Sequence, residues 1–126
     1  MICLKKIALV VDDNPYIRGN IREILESSFF EVFEAKDGIE SIDMFLEINP
    51  TIVIMDINMP RLNGLEATAK IMEMNLNANI AICSSMLFIP YYQKLAKKAG
   101  AKALISKPFT KLELISGLNE LLEEMR

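Results

Sequence analysis

The sequence predicts an α/β domain: a doubly wound parallel sheet with helices on both faces. Five short apolar runs, several of them β-branched or aromatic, alternate regularly with five segments of helical spacing. Runs such as 51–55 are near-continuously apolar, as strands buried on both faces must be. Strict alternation of strand and helix implies right-handed crossovers and therefore parallel pairing. The 126 residues, 52% of them apolar, suit a single domain spanning 1–126.

The elements follow in order. Residues 7–11 read as the first strand, and Pro15 suits the first turn of a helix whose apolar stripe is Ile17, Ile21, Ile24 and Leu25. Phe30–Ala35 is the second strand; Asp37-Gly38 then turns the chain into a helix carrying Ile39, Ile42, Phe45 and Leu46. The third strand, 51–55, precedes a helix with Leu65, Ala69 and Met72. The fourth, 80–83, precedes one with Tyr92, Leu95, Ala96 and Ala99, ended by Gly100. The fifth, 103–105, leads to an amphipathic helix over 111–125 with Leu112, Ile115, Leu118, Leu121 and Leu122.

Composition narrows the chemistry. The absence of histidine excludes His-based zinc sites, Ser-His-Asp and Cys-His relays, and transfer through an internal phosphohistidine. Two cysteines, Cys3 and Cys83, are too few for a disulfide framework, so a reducing, cytoplasmic setting is expected. The net charge is −3 with acidic and basic residues interspersed, which argues against direct nucleic-acid binding. Residues 1–11 superficially resemble a signal peptide, Lys5 and Lys6 preceding an apolar run, but the run is too short and ends in Asp12-Asp13. No stretch approaches the length of a membrane span, so no membrane insertion is expected.

In an open α/β sheet, ligands bind beyond the carboxyl ends of the strands. Those ends carry Asp12-Asp13, Asp56, Ser84-Ser85 and Ser106-Lys107. Three carboxylates brought together repel one another unless a cation neutralises them, and an all-oxygen set favours a hard ion such as Mg2+. With one carboxylate as nucleophile, the set suits phosphoryl transfer to Asp56, Lys107 and a serine hydroxyl taking the remaining phosphoryl oxygens. Each member also has an ordinary reading. Asp13 or Asn14 ahead of Pro15 is a good helix cap, a lone Lys107 is most often a solvated strand end, and a lone Ser84 is usually a small core residue. Asp56 is harder to dismiss, because a carboxylate straight after 52–55 sits at the rim of a buried strand. The eight methionines and the Tyr91-Tyr92 pair read as packing.

Val11-Asp12-Asp13, Met55-Asp56-Ile57-Asn58-Met59-Pro60 with Asn63-Gly64, and Lys107-Pro108-Phe109 together resemble the receiver domain of two-component response regulators, over 6–124. The resemblance is greatest to stand-alone, chemotaxis-type receivers. It implies a flavodoxin-like (βα)5 sheet of strand order 2-1-3-4-5, the example by which the general rule for such sheets is usually stated. It further implies that Asp56 is the phosphoacceptor, that Asp12, Asp13 and Asp56 hold Mg2+ with the backbone carbonyl of Asn58, and that Lys107 pairs with the phosphoryl group. A cis peptide bond would fall at Lys107-Pro108. For the switch hydroxyl, the spacing from Asp56 favours Ser84 and the count back from Gly100 favours Ser85; the run 80–83 leading straight into Ser84 makes it the preferred residue.

Two departures stand out. Leu104 occupies the position, three before Lys107, where many members carry an aromatic switch, and Pro90 lies in the loop or first turn after strand four. The implied partners are a sensor histidine kinase or histidine phosphotransfer protein and a downstream protein target, reached through the face of helix four, strand five and helix five. The chain would be a monomer or a phosphorylation-dependent dimer. Rival readings fit less well. A haloacid-dehalogenase-type phosphatase needs an acid where Asn58 stands, and Asp12-Asp13 would repel the phosphate of a flavodoxin-type FMN carrier. The expectation is therefore a regulatory phosphoacceptor and not a turnover enzyme; a degenerate receiver used as a scaffold is disfavoured because every charged pocket member is present.

Overall fold

The computed structural model describes residues 6–124; Cys3, Lys5 and Met125 lie outside the described residues. Strands β1 (Lys6–Val11), β2 (Phe30–Ala35), β3 (Ile52–Met55), β4 (Ile80–Ser84) and β5 (Ala103–Ser106) alternate with helices α1 (Pro15–Ser27), α2 (Gly38–Ile48), α3 (Gly64–Met74), α4 (Pro90–Ala99) and α5 (Lys111–Glu124). All pairings are parallel, and the sheet order is β2-β1-β3-β4-β5. A 3-10 turn over Ser85–Phe88, not anticipated from the sequence, joins β4 to α4. Among the described residues no helix is long and apolar enough to cross a membrane.

Strand alternation divides the core into two layers. Ala8, Val10, Ile52, Ile54, Ala81, Cys83, Ala103 and Ile105 pack against α1 and α5 through Ile21, Leu25, Leu114, Leu118 and Leu121. Leu9, Val11, Val53, Met55, Ile80 and Ile82 pack on the opposite face with Phe45, Ala67, Ile71 and Ala96 from α2, α3 and α4. Because both faces are covered, the central strands β1, β3 and β4 carry apolar side chains through the sheet and polar ones where they leave it, whereas the edge strand β2 keeps Glu31 and Glu34 within it.

The helix caps decide which acids remain available. Asn14 caps α1, its side-chain oxygen accepting from the N–H groups of Tyr16 at 2.9 Å and Ile17 at 3.3 Å. Neither Asp12 nor Asp13 is spent on that role. Pro15 and Pro90 stand in the first turns of α1 and α4, where a missing N–H costs nothing. Gly100 ends α4 at φ 113°, which a side chain would strain. Asn14→Ala should lower stability by about 1 kcal/mol, or about 4 °C in Tm, through loss of the cap. Thermal unfolding followed by circular dichroism checks this, and an unchanged Tm would show that the cap contributes nothing.

Candidate functional site

The site arises where β1 and β3 lie side by side, at the place where the strand order reverses. Val11 is paired with Met55, and the Asp56 N–H donates to the Val11 carbonyl at 2.9 Å, so Asp12 and Asp56 leave the sheet together. Asp13 completes the set: one carboxylate oxygen from each of Asp12, Asp13 and Asp56 lies within 4.8 Å of the other two. Asp12 and Asp56 are buried and Asp13 is exposed.

Lys107 reaches this cluster from β5. It crosses two strand spacings to β3, roughly 10 Å, past the small residues at the end of β4. Its Nζ lies 2.6 Å from Asp12 Oδ2 and 3.3 Å from Asp56 Oδ2. The remaining oxygens are also engaged: Asp12 Oδ1 accepts from the Asn14 N–H at 2.9 Å, and Asp56 Oδ1 from the Ile57 N–H at 2.8 Å. Burial pushes the Asp56 carboxyl up to about 6; Lys107 opposes that rise and the charge of Asp12 adds to it. Burial alone would lower Lys107, but its hydrogen bond to Asp12 and the charge of Asp56 hold it above its ordinary value. One lysine among three carboxylates leaves an excess of negative charge, so the donor set fits a hard divalent cation such as Mg2+.

The other sequence-predicted residues are placed as follows. Ser84 is buried, and its Oγ accepts from the Met86 N–H at 3.0 Å, capping the 3-10 turn; its carbonyl accepts from the Lys107 N–H at 3.1 Å. Ser85 is exposed and lines a groove of about 430 Å³ with Ile17, Asn20, Lys107, Pro108 and Phe109. Ser84 is therefore enclosed at the end of β4, whereas Ser85 opens the 3-10 turn and faces the groove. Among the described residues, neither serine side chain is hydrogen-bonded to Asp56 or Lys107. Asn58 is exposed just beyond Asp56. The Lys107-Pro108 peptide bond is cis. Leu104 is half-buried and packs with the layer of α2, α3 and α4. Cys83 is buried in the other layer, where burial pushes its thiol up to about 12 and removes it from chemistry at neutral pH.

Sequence reasoning passed over Arg18. Its Nη1 donates to the Asp12 carbonyl at 2.7 Å and its Nε to Glu34 Oε1 at 2.9 Å. Arg22 joins the same Glu34 and also donates to the Val32 carbonyl at 2.9 Å. The available signal was two arginines one helical turn apart on α1, followed by a strand that carries two glutamates, Glu31 and Glu34, among apolar residues.

Known proteins resemble the chain throughout this architecture. The response regulator receiver domain family model matches residues 8–119. The chemotaxis protein CheY of Halobacterium salinarum is 40% identical over 121 residues, covering 94% of this chain and 98% of that protein. Among solved structures, the CheX-CheY-BeF3-Mg2+ complex from Borrelia burgdorferi matches with TM-score 0.87 and 28% identity, covering 93% of this chain and 89% of that one. The response regulator TrrA of Thermotoga maritima, in complex with Mg2+ and beryllium fluoride, matches with TM-score 0.83 and 33% identity, covering 92% and 98%.

Proposed function

The chain belongs to the response regulator receiver domain family, and from that premise we propose that Asp56 is its phosphoacceptor, loaded from a phosphohistidine on a sensor kinase or phosphotransfer protein. A receiver domain is a regulatory phosphoacceptor, which agrees with the lack of any histidine in this chain. The observation that carries the assignment is the meeting of Asp56 with Asp12, Asp13 and Lys107 at the carboxyl edge of the sheet. We take 1–126 as one receiver domain.

In the transfer, a carboxylate oxygen of Asp56 forms a bond to phosphorus as the phosphorus–nitrogen bond of the donor breaks. Asp56 must be ionised to attack, and it is the carboxylate whose protonation burial favours. Asp12, Asp13 and Asp56, with the Asn58 carbonyl, would hold a Mg2+ ion, whose chemistry there is to neutralise the carboxylates and the phosphoryl oxygens. Lys107, already between two of these carboxylates, is within reach of a phosphoryl oxygen on Asp56. Ser84 uses its oxygen as an acceptor for Met86, so its own proton is free to be donated to the new group. That bond would shift the 3-10 turn and the adjoining α4–β5–α5 face, where a downstream protein would sense it. Leu104 replaces an aromatic switch on that face. Of its elements, α4 carries Lys94, Lys97 and Lys98 and no acid, whereas α5 is mainly acidic, with Glu113, Glu120, Glu123 and Glu124 against Lys111.

The test is intact mass and peptide mapping after incubation with acetyl phosphate, with and without Mg2+. One phosphoryl group on the peptide containing Asp56, dependent on Mg2+ and absent from Asp56→Asn, is the expected result. Labelling that persists in Asp56→Asn would overturn the assignment.

A further inference from the structure

We propose that Arg18 is a positioning residue for the acidic pocket, setting the Asp12–Asp13 peptide so that the Asp13 carboxylate faces a divalent cation. The inference rests on the reading of Asp12, Asp13 and Asp56 as the cation site.

The three carboxylates are not held equally. Asp12 is fixed by Lys107 and the Asn14 N–H, and Asp56 by Lys107 and the Ile57 N–H. The side chain of Asp13 makes no hydrogen bond or ion pair with any described residue, yet its oxygen lies within 4.8 Å of the others. Its direction is therefore set by its backbone. The Asp12 carbonyl belongs to the same rigid peptide as the Asp13 N–H, so whatever grips that oxygen orients the plane from which Asp13 departs. Arg18 grips it with a 2.7 Å charge-assisted hydrogen bond.

Arg18 is itself immobilised. Its side chain is 18% exposed, and its Nε is bonded to Glu34 on the edge strand β2. Glu34 is held in turn by Arg22, and the pair keeps its carboxylate ionised against burial, which would otherwise raise it. The planar fork of arginine satisfies a carboxylate and a carbonyl at once, which a lysine ammonium on a flexible stem does less rigidly. The chain thus runs from β2 through α1 to the β1–α1 turn. Groups that orient metal ligands commonly affect affinity tenfold or more.

Charge and positioning predict opposite signs here. Removing a cation beside an acidic pocket should strengthen Mg2+ binding if Arg18 acts through its charge alone. It should weaken binding if Arg18 acts by orientation. The experiment is isothermal titration of Mg2+ into wild type, Arg18→Met, Arg18→Lys and Arg22→Met, at a temperature where circular dichroism shows every variant folded. Arg22→Met breaks the same Glu34 network without touching the Asp12 carbonyl.

The expected result is about tenfold weaker binding in Arg18→Met, partial recovery in Arg18→Lys, and a change under about twofold in Arg22→Met. In acetyl phosphate labelling, Arg18→Met should need more Mg2+ for half-maximal rate while reaching the wild-type rate at saturation. Affinity in Arg18→Met equal to or tighter than wild type overturns the proposal, as does equal weakening in Arg22→Met. A wild-type protein that binds no Mg2+ overturns the reading on which the proposal rests.

Discussion

Lys107→Ala is expected to lower Tm by about 10 °C at pH 7.5 in EDTA, a loss of about 3 kcal/mol, while Asp56→Asn raises it. The two residues are partners at 3.3 Å, so opposite signs would follow only if the pocket is dominated by uncompensated negative charge. Lys107 is the one cation contacting Asp12 and Asp56 among the ion pairs of the described residues, and Asp12 is almost fully buried. Removing the lysine leaves buried carboxylates facing each other with no cation in contact with either carboxylate group.

Asp56 works in the other direction. Its carboxyl is raised to about 6, so between its ordinary value near 3.8 and about 6 the folded chain binds more protons than the unfolded one. Stability therefore falls as pH rises through that window, and the penalty is complete above it. Discounted for screening, Asp56→Asn should gain about 1 to 2 kcal/mol at pH 7.5 and almost nothing below about pH 4. The deficit of Lys107→Ala should likewise shrink near pH 5, as protons replace the missing cation. Mg2+ at millimolar concentration should narrow both differences. Thermal melts of the three proteins at pH 4, 5 and 7.5, with and without Mg2+, check each statement. An Asp56→Asn protein less stable than wild type at pH 7.5 in EDTA would contradict this account of the pocket.

Gly64→Ala should be at least as damaging, costing about 3 kcal/mol or more. The reason is space, not torsion. A Cβ on Gly64 would stand 1.6 Å from the carbonyl oxygen of Asp56 and 2.9 Å from the Met55 side chain. Backbone cannot yield as a flexible side chain can, so the β3–α3 loop bearing Asp56 would have to move. The Gly64 N–H bond to the Ile57 carbonyl, 2.9 Å, would be strained with it. The loss should therefore appear both in Tm and in Asp56 labelling by acetyl phosphate. Gly19→Ala is the matching control: Gly19 lies in α1 with nothing within 4 Å of its would-be Cβ, and a helix interior favours alanine by about 0.5 to 1 kcal/mol. Gly19→Ala should raise Tm by a few degrees. Equal stability of the two variants would refute the steric argument.

The identity and order of the strands and helices were legible because they rest on local periodicity. A run such as 52–55 is apolar on successive residues, and it is indeed β3, buried on both faces. Asp37 and Pro15 marked helix starts for reasons confined to a few bonds. The carboxyl-edge rule then placed Asp12, Asp13, Asp56 and Lys107 along one edge, and these four meet in the structure. The 3-10 turn after β4 was missed because a single turn of 85–88 has no period to read.

What the sequence determined by itself was therefore the set of elements, their alternation, and the strand ends that carry chemistry, all of which follow from the positions of apolar and capping residues within short windows. Tertiary structure alone decided the rest. Which of Ser84 and Ser85 is buried, and that Lys107 pairs with Asp12 across 95 residues, depend on strand register and strand order. So does the bracing of Arg18, whose grip on the Asp12 carbonyl is steadied by Glu34, which β2 brings beside α1. The Lys107 and Glu34 pairings join residues remote in the chain, and only the packed sheet brings those side chains within hydrogen-bonding distance.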